Sequence, residues 1–389
     1  MTAPSVAPPA PTPPHVTLRG RDIPVVLPSR RDARLKLSAV IMTLHVLGQT
    51  VLGFKVTIAQ ILVTIVVCGA VEAALTFRSR HMLVWPASGI LTGSSIAFIL
   101  RASGTRHGDW WGLHGIQFFV LAALISLMSK HLVRPTGRHL FNPSNIGIVW
   151  CLLVIGPNHV FAQYLWWGPN RAGVAVAYAV ILVGAVWILR SVGMVPMALS
   201  FLVTFAVLVG ALALGGRTFI AIWHDGPIGG LSYWATIALS PEVLVFVFFM
   251  ISDPQTAPRG GTARMLYGAV TALVAAALIS LQPTEFGIKV SILSSLTVAC
   301  ALVPAIERVA RRLGARRAAP AVPEPDPALE PAAPAAPTLS RRLAAAVRNP
   351  AVVAAVIIAV AAPLDTAVLA RNKQAVLIER GEIGARNAQ

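Results

Sequence analysis

Eleven apolar runs of membrane-crossing length follow one another along this chain, and they leave little choice of fold. They lie near 37–54, 56–77, 82–100, 112–129, 145–163, 172–189, 194–214, 233–251, 264–281, 286–303 and 350–370. One helical crossing of a bilayer takes about 20 apolar residues. Backbone in lipid must also satisfy its own N–H and C=O groups, so only helices and closed barrels span. These runs are continuous rather than alternating, which argues against a strand barrel. With 56% apolar residues, 12% charged and a mean hydropathy of +0.72, the composition agrees. The expectation is an all-α, polytopic membrane protein. Its first run is the weakest, because His45, Gln49 and Thr50 interrupt it.

A net charge of +17 suggests nucleic acid at first sight, but its placement argues for a bilayer instead. With the N-terminus inside, 22 of the 32 Lys and Arg residues fall on cytoplasmic segments. That bias is the positive-inside rule, and it predicts a multi-pass protein of a bacterial-type plasma membrane with a cytoplasmic N-terminus. The cluster Arg308, Arg311, Arg312, Arg316, Arg317 and the cluster Arg30, Arg31, Arg34, Lys36 also suit anionic lipid. No nucleic-acid partner is expected.

The domain reading follows the composition. Residues 1–34 read as a disordered Pro/Ala-rich arm, uncharged over 1–17, followed by a basic juxtamembrane segment. The arm lacks the basic and apolar regions of a signal peptide, so no cleavage is expected. Residues 35–305 form the membrane core, 306–349 a basic Ala/Pro-rich linker, 350–371 an additional transmembrane helix and 372–389 a tail. Cys68, Cys151 and Cys300 fall inside apolar runs without ligand spacing, and are read as packing residues rather than a metal site.

Polar motifs at the ends of apolar runs point to function, because such groups are costly in hydrocarbon unless buried in protein or facing a wet cavity. Phe141-Asn142-Pro143-Ser144-Asn145-Ile146-Gly147 opens the fifth run and Ile251-Ser252-Asp253-Pro254-Gln255-Thr256 closes the eighth. By span count both reach the same side as Ser88-Gly89-Ile90-Leu91-Thr92-Gly93, early in the third. Pro143 suits the first turn of a helix, with Asn142, Ser144 or Asn145 as cap. Lys130, Arg134, Arg138 and His139 lie just upstream, so this helix start favours an anion or phosphate; ordinary capping explains it equally. Asp253 is read either as an Asx-turn residue or as an acceptor for a ligand N–H. Among ionisable residues within runs, Glu72 is the first choice for an ion or proton path. Glu242, next to Pro241, marks a broken helix, and Lys289 lies near enough to an end to snorkel. Trp166 and Trp167 read as headgroup anchors. No catalytic triad, paired-carboxylate site or phosphate-binding loop is apparent, so no catalytic residue is assigned.

The order of these motifs, Ser88 to Gly93, Phe141 to Gly147 and Phe249-Met250 to Pro258, resembles a known family. It is the membrane subunit shared by the Rnf electron-transport complex (its D subunit) and sodium-translocating NADH:quinone reductase (its B subunit). The likeness covers residues 35 to about 305. His45 to Phe54 and Phe141 to Asn145 bring the chain nearest to the UnbU-type branch found in enediyne antibiotic clusters. The resemblance implies ten core helices in two inverted five-helix halves, and it implies flavin. In the redox subunits FMN is carried on a Thr of a Ser-Gly-Ala-Thr motif in the loop after span five. Here that loop, 158–171, contains no Ser or Thr, so covalent FMN is not expected. Sodium-pumping relatives place a Glu where this chain has His131 after Ser129-Lys130, so sodium coupling does not transfer either.

The leading expectation is therefore a redox-type membrane protein holding FMN, riboflavin or a quinone-like ring noncovalently between spans three, five and eight. Asn142, Asn145, Asp253 and Thr256 would make the polar contacts, Arg138 would favour a phosphate, and a redox or biosynthetic protein would be the partner. A transporter or resistance protein for a hydrophobic natural product, and a membrane scaffold for biosynthetic enzymes, are the alternatives.

Overall fold

The computed structural model describes residues 14–18, 20–29, 32–134, 137–165 and 171–317. The eleventh run, the tail and the Trp166-Trp167 stretch lie outside the described residues. So do most of the N-terminal arm and linker.

The protein is helical. Its helices are α1 (Ala33–Thr50), α2 (Ile58–Arg80), α3 (Ala87–Ile99), α4 (Ile116–Leu132), α5 (Pro143–Trp150), α6 (Arg171–Val192), α7 (Val195–Leu214), α8 (Gly230–Ala238), α9 (Pro241–Val245), α10 (Gly261–Ile279) and α11 (Glu285–Arg317). One π-helical turn, Cys151–Ile155, extends α5, and another, Phe246–Met250, extends α9. Among the described residues six helical stretches are long and apolar enough to cross a membrane, one of them Gly230–Met250 taken through its break. Large apolar side chains such as Val66, Val183, Val203 and Val207 stay exposed on their outer faces, as lipid contact requires. The innermost is α11, whose most apolar stretch is 89% buried.

Short strands complete the chain: β1 (His15–Leu18), β2 (Arg21–Val26), β3 (Leu83–Val84), β4 (Leu100–Ala102), β5 (Val160–Ala162), β6 (Phe219–Ile220) and β7 (Pro227–Ile228). β1 and β2 form an antiparallel hairpin turning at Gly20, and β2 continues in parallel onto β3. The end of the expected arm and the start of the basic juxtamembrane segment thus form a hairpin, while residues 1–13 lie outside the described residues. The hairpin's backbone finds a ladder partner at the end of α2, Ile23 is buried, and the Thr17 hydroxyl donates to Asp22 at 2.7 Å. Two further boundaries move. The helix α11 runs on to Arg317, into the expected linker. The fifth run ends at Ile155, and Val160–Ala162 leaves the helix to pair antiparallel with β4.

Helix starts follow local chemistry. Thr57 and Gln60 form a reciprocal capping box at α2. Asn142 and Ser240 cap α5 and α9, each followed by a proline at the first helical position. Close packing explains the motif glycines. A Cβ on Gly93 would stand 2.6 Å from the Thr64 carbonyl of α2, and one on Gly147 would stand 2.4 Å from the Ala122 carbonyl of α4. Small residues let membrane helices approach backbone to backbone. Two similar sets of contacts recur: α2 against α3 and α4, with α4 on α5, and α7 against α8 and α10, with α10 on α11.

Candidate functional site

The two Asn-Pro and Asp-Pro motifs, a hundred residues apart in sequence, meet in space. Asn142 Oδ1 accepts the Asn145 backbone N–H at 3.2 Å and the Ser144 hydroxyl at 3.0 Å. Its amide then donates to the Met250 carbonyl, at 3.2 Å, in the turn that ends the eighth run. Arg138 donates through Nη2 to the Pro254 carbonyl and, at 3.2 Å, to that of Ala257. His139 Nε2 lies 3.5 Å from an Asp253 carboxylate oxygen. Asp253 also accepts the Gln255 N–H at 2.9 Å, closing the Asx turn, and the Thr256 hydroxyl donates to the Asp253 carbonyl at 3.4 Å. Asn145 points away toward α11, donating to the Leu293 carbonyl and the Thr297 hydroxyl at 3.0 Å each.

These bonds form a clasp between the start of α5 and the turn after α9. All five residues singled out from sequence are near it, but most of their polar capacity is spent within the protein. The Asn142 amide and the Asp253 carboxylate are consumed by capping and turn closure. What remains is the Asn145 Oδ1 acceptor, buried without a partner, and the Nε and Nη1 side of Arg138. The donor set therefore fits a ring N–H and a phosphate only in part.

The third motif goes elsewhere. Lys130 donates at 2.7 Å both to Glu72 and to the Ser88 hydroxyl. The carboxylate singled out for an ion or proton path is thus held by an ammonium, with both side chains largely buried. A Cβ on Gly89 would stand 2.8 Å from that carboxylate, so the glycine leaves room for the pair.

A second polar locus, which the motifs did not indicate, lies among α3, β5, α9 and α11. Lys289 does not snorkel. It is 4% exposed and donates to the carbonyls of Ala162 at 2.9 Å and Gln163 at 2.5 Å, with Glu285 at 3.7 Å. The β5 departure from helix supplies these carbonyls. Glu285 is fully engaged, accepting the Leu165 N–H at 2.6 Å and the Trp223 indole N–H at 2.9 Å. Glu242, in the helix that restarts at Ser240-Pro241, is different. Both its carboxylate oxygens are buried and have no partner. Gln163 Nε2 is likewise unpartnered. The expected break at Pro241 is present, with the chain leaving α8 at Leu239 and restarting on the Ser240 cap.

Glu242, Gln163 and Lys289 line one cavity with Phe98, Phe246 and Met250. It leaves about 20 Å³ for the centres of water-sized molecules, enough for water and too little for a tricyclic ring without movement of its walls. Met250 and Leu293, whose carbonyls take the clasp amides, also line it, so clasp and cavity share a boundary. A proline followed by an acid inside an apolar run was the sequence signal for this locus. Among the described residues no group of His, Cys, Asp and Glu is arranged to hold a metal ion, and Cys68, Cys151 and Cys300 are free and buried. Comparison with family models and with curated proteins finds no match for this chain.

Proposed function

We propose that this chain is a ten-span membrane protein of two inverted five-helix halves, related to the Rnf and NADH:quinone reductase membrane subunits. In this reading it supports redox chemistry in natural-product biosynthesis through a noncovalently held flavin or quinone-like ring. The repeated packing of α2 on α3 and α4, and of α7 on α8 and α10, supports the two halves, and five spans per half invert the second. The Lys/Arg bias supports a cytoplasmic N-terminus in a bacterial-type plasma membrane.

The observation that carries the reading is the clasp: the Asn-Pro and Asp-Pro motifs meet at Arg138 and Asn142, and the same helix start keeps a buried acceptor, Asn145 Oδ1, unspent on its α11 side. A flavin, when bound, supplies electron transfer; the protein's part is to orient the ring and keep water from it. Asn145 would accept the ring N–H and the free face of Arg138 would take a phosphate. The adjoining space is water-sized, so ring binding requires its walls to move. An enzyme or electron carrier of the biosynthetic route would be the redox partner.

The test is the absorption and fluorescence spectrum of detergent-purified protein before and after acid precipitation. Flavin released to the supernatant, with retention reduced at least tenfold in Asn145→Leu, is the expected result. A protein that stays colourless after reconstitution with FMN, riboflavin and a quinone overturns the reading. A second reading, transport of or resistance to a hydrophobic natural product, predicts ligand-dependent flux in vesicles without redox change.

A further inference from the structure

We propose that Glu242 is a proton-binding site in the middle of the membrane core, loaded and unloaded through the cavity it shares with Gln163 and Lys289. The proposal is independent of the flavin reading, because none of these residues belongs to the clasp.

Glu242 lies where two helical pieces meet, and neither of its buried carboxylate oxygens has a hydrogen-bond partner. A bare carboxylate in such surroundings carries a desolvation cost that nothing on its own helix offsets. The group must therefore carry a proton or hold a cation. A hard cation asks for about six oxygen ligands. Beyond Glu242 and Gln163, the walls offer the hydrocarbon of Phe98, Ile99, Val243, Phe246 and Ile292. Lys289 lines the same space and opposes a second positive ion. A proton meets neither objection.

A second, separate observation points the same way. Gln163 is 4% exposed and lines this cavity, and its Nε2 has no hydrogen-bond partner. An amide N–H donor and a carboxyl group, both unspent and bordering a space that admits water, make a site at which a proton is exchanged through water. Charges from each packed element are accounted for. Lys289 and Glu285 of α11 are the groups whose fields reach Glu242. Arg101 of β4 lies over the Phe161 and Tyr164 rings, at 4.9 and 4.6 Å. From α6, Tyr178 donates to the Leu239 carbonyl just before the break. On release, the O–H bond of Glu242 breaks, a hydroxide reaching it through the cavity water takes the proton and becomes water, and the carboxylate charge left behind shares the cavity with Lys289.

Infrared difference spectroscopy of the full chain in lipid, titrated from acid to alkaline pH, tests this. The expected result is a protonated-carboxyl C=O band at neutral pH that disappears on alkaline titration and is missing in Glu242→Gln. Unmodified wild-type protein gives an independent readout with dicyclohexylcarbodiimide. The carboxyl adds across one C=N bond, its proton passing to nitrogen, and mass spectrometry should place the adduct on Glu242 with a yield that falls as pH rises. A carboxyl band unchanged in Glu242→Gln, with no adduct on Glu242, overturns the proposal. A Glu242 carboxylate signal that responds to sodium and not to pH overturns it in favour of a cation site.

Discussion

The clasp and the Glu242 cavity share a boundary but spend their polar groups in opposite ways. At the clasp, Asn142, Arg138, Asp253 and Thr256 each bond to backbone or to one another, so the motif's chemistry closes on itself. In the cavity, the Glu242 carboxylate oxygens and Gln163 Nε2 stay unspent, while neighbouring Lys289 and Glu285 are bonded to carbonyls and N–H groups. The more conspicuous motif in the sequence is thus the one more fully used for folding. Availability, not polarity, separates a structural polar group from one left for a ligand.

Breaking the saturated side of the cavity should have the largest effect. Glu285→Ala removes the acceptor for the Leu165 N–H and the Trp223 indole and leaves the buried Lys289 ammonium without its carboxylate. Truncating one partner of a buried ion pair costs about 3–5 kcal/mol. Thermal unfolding in mild detergent should show a correspondingly large drop in midpoint. A shift no larger than that of an outward-facing substitution such as Val203→Ala would mean that Glu285 is solvated and its bonds to Leu165 and Trp223 hold little of the fold.

The clasp ranks next. Asn142→Ala removes the cap of α5 and the amide that holds the Met250 carbonyl across the two motifs. Loss of a cap costs about 1 kcal/mol and loss of an ordinary hydrogen bond about 1 more. A double-mutant cycle with Arg138→Ala sharpens the comparison. If the two act as one fastener, their combined cost departs from the sum, because both pin the same turn. Strict additivity would show that the two motifs are held separately.

Much of the fold was legible in advance. Apolar run length placed the helices, Asn142-Pro143 signalled the start of α5 through local cap chemistry that needs no tertiary information, and Pro241 marked the break before α9. The N-terminal hairpin was not legible, because β2 depends on Leu83–Val84 some sixty residues away to continue its sheet. The fate of individual charges was equally hidden. Lys289 looked able to reach an interface, yet β5 leaves helix and presents two carbonyls to it, a long-range arrangement that no window of sequence contains. The pairing of Glu72 with Lys130 joins α2 to α4 in the same way. Motif residues were found at the clasp because adjacency in sequence survives there. Glu242 was noticed for breaking a helix, but its lack of partners is a property of four elements at once.

Glu242→Gln should therefore have the smallest effect on stability, and it decides what kind of group Glu242 is. If the carboxyl carries a proton in the folded protein, an amide of the same shape changes neither its charge nor its hydrogen-bond count. The unfolding midpoint then moves by less than one ordinary hydrogen bond is worth, about 1 kcal/mol. If Glu242 is instead an ionised structural counter-charge for Lys289, the same substitution strands the ammonium's second neighbour and costs about 3–5 kcal/mol, close to Glu285→Ala. The paired measurement separates the two carboxylates facing one lysine: a large loss at Glu285 with almost none at Glu242 assigns structure to the first and leaves the second free to exchange its proton.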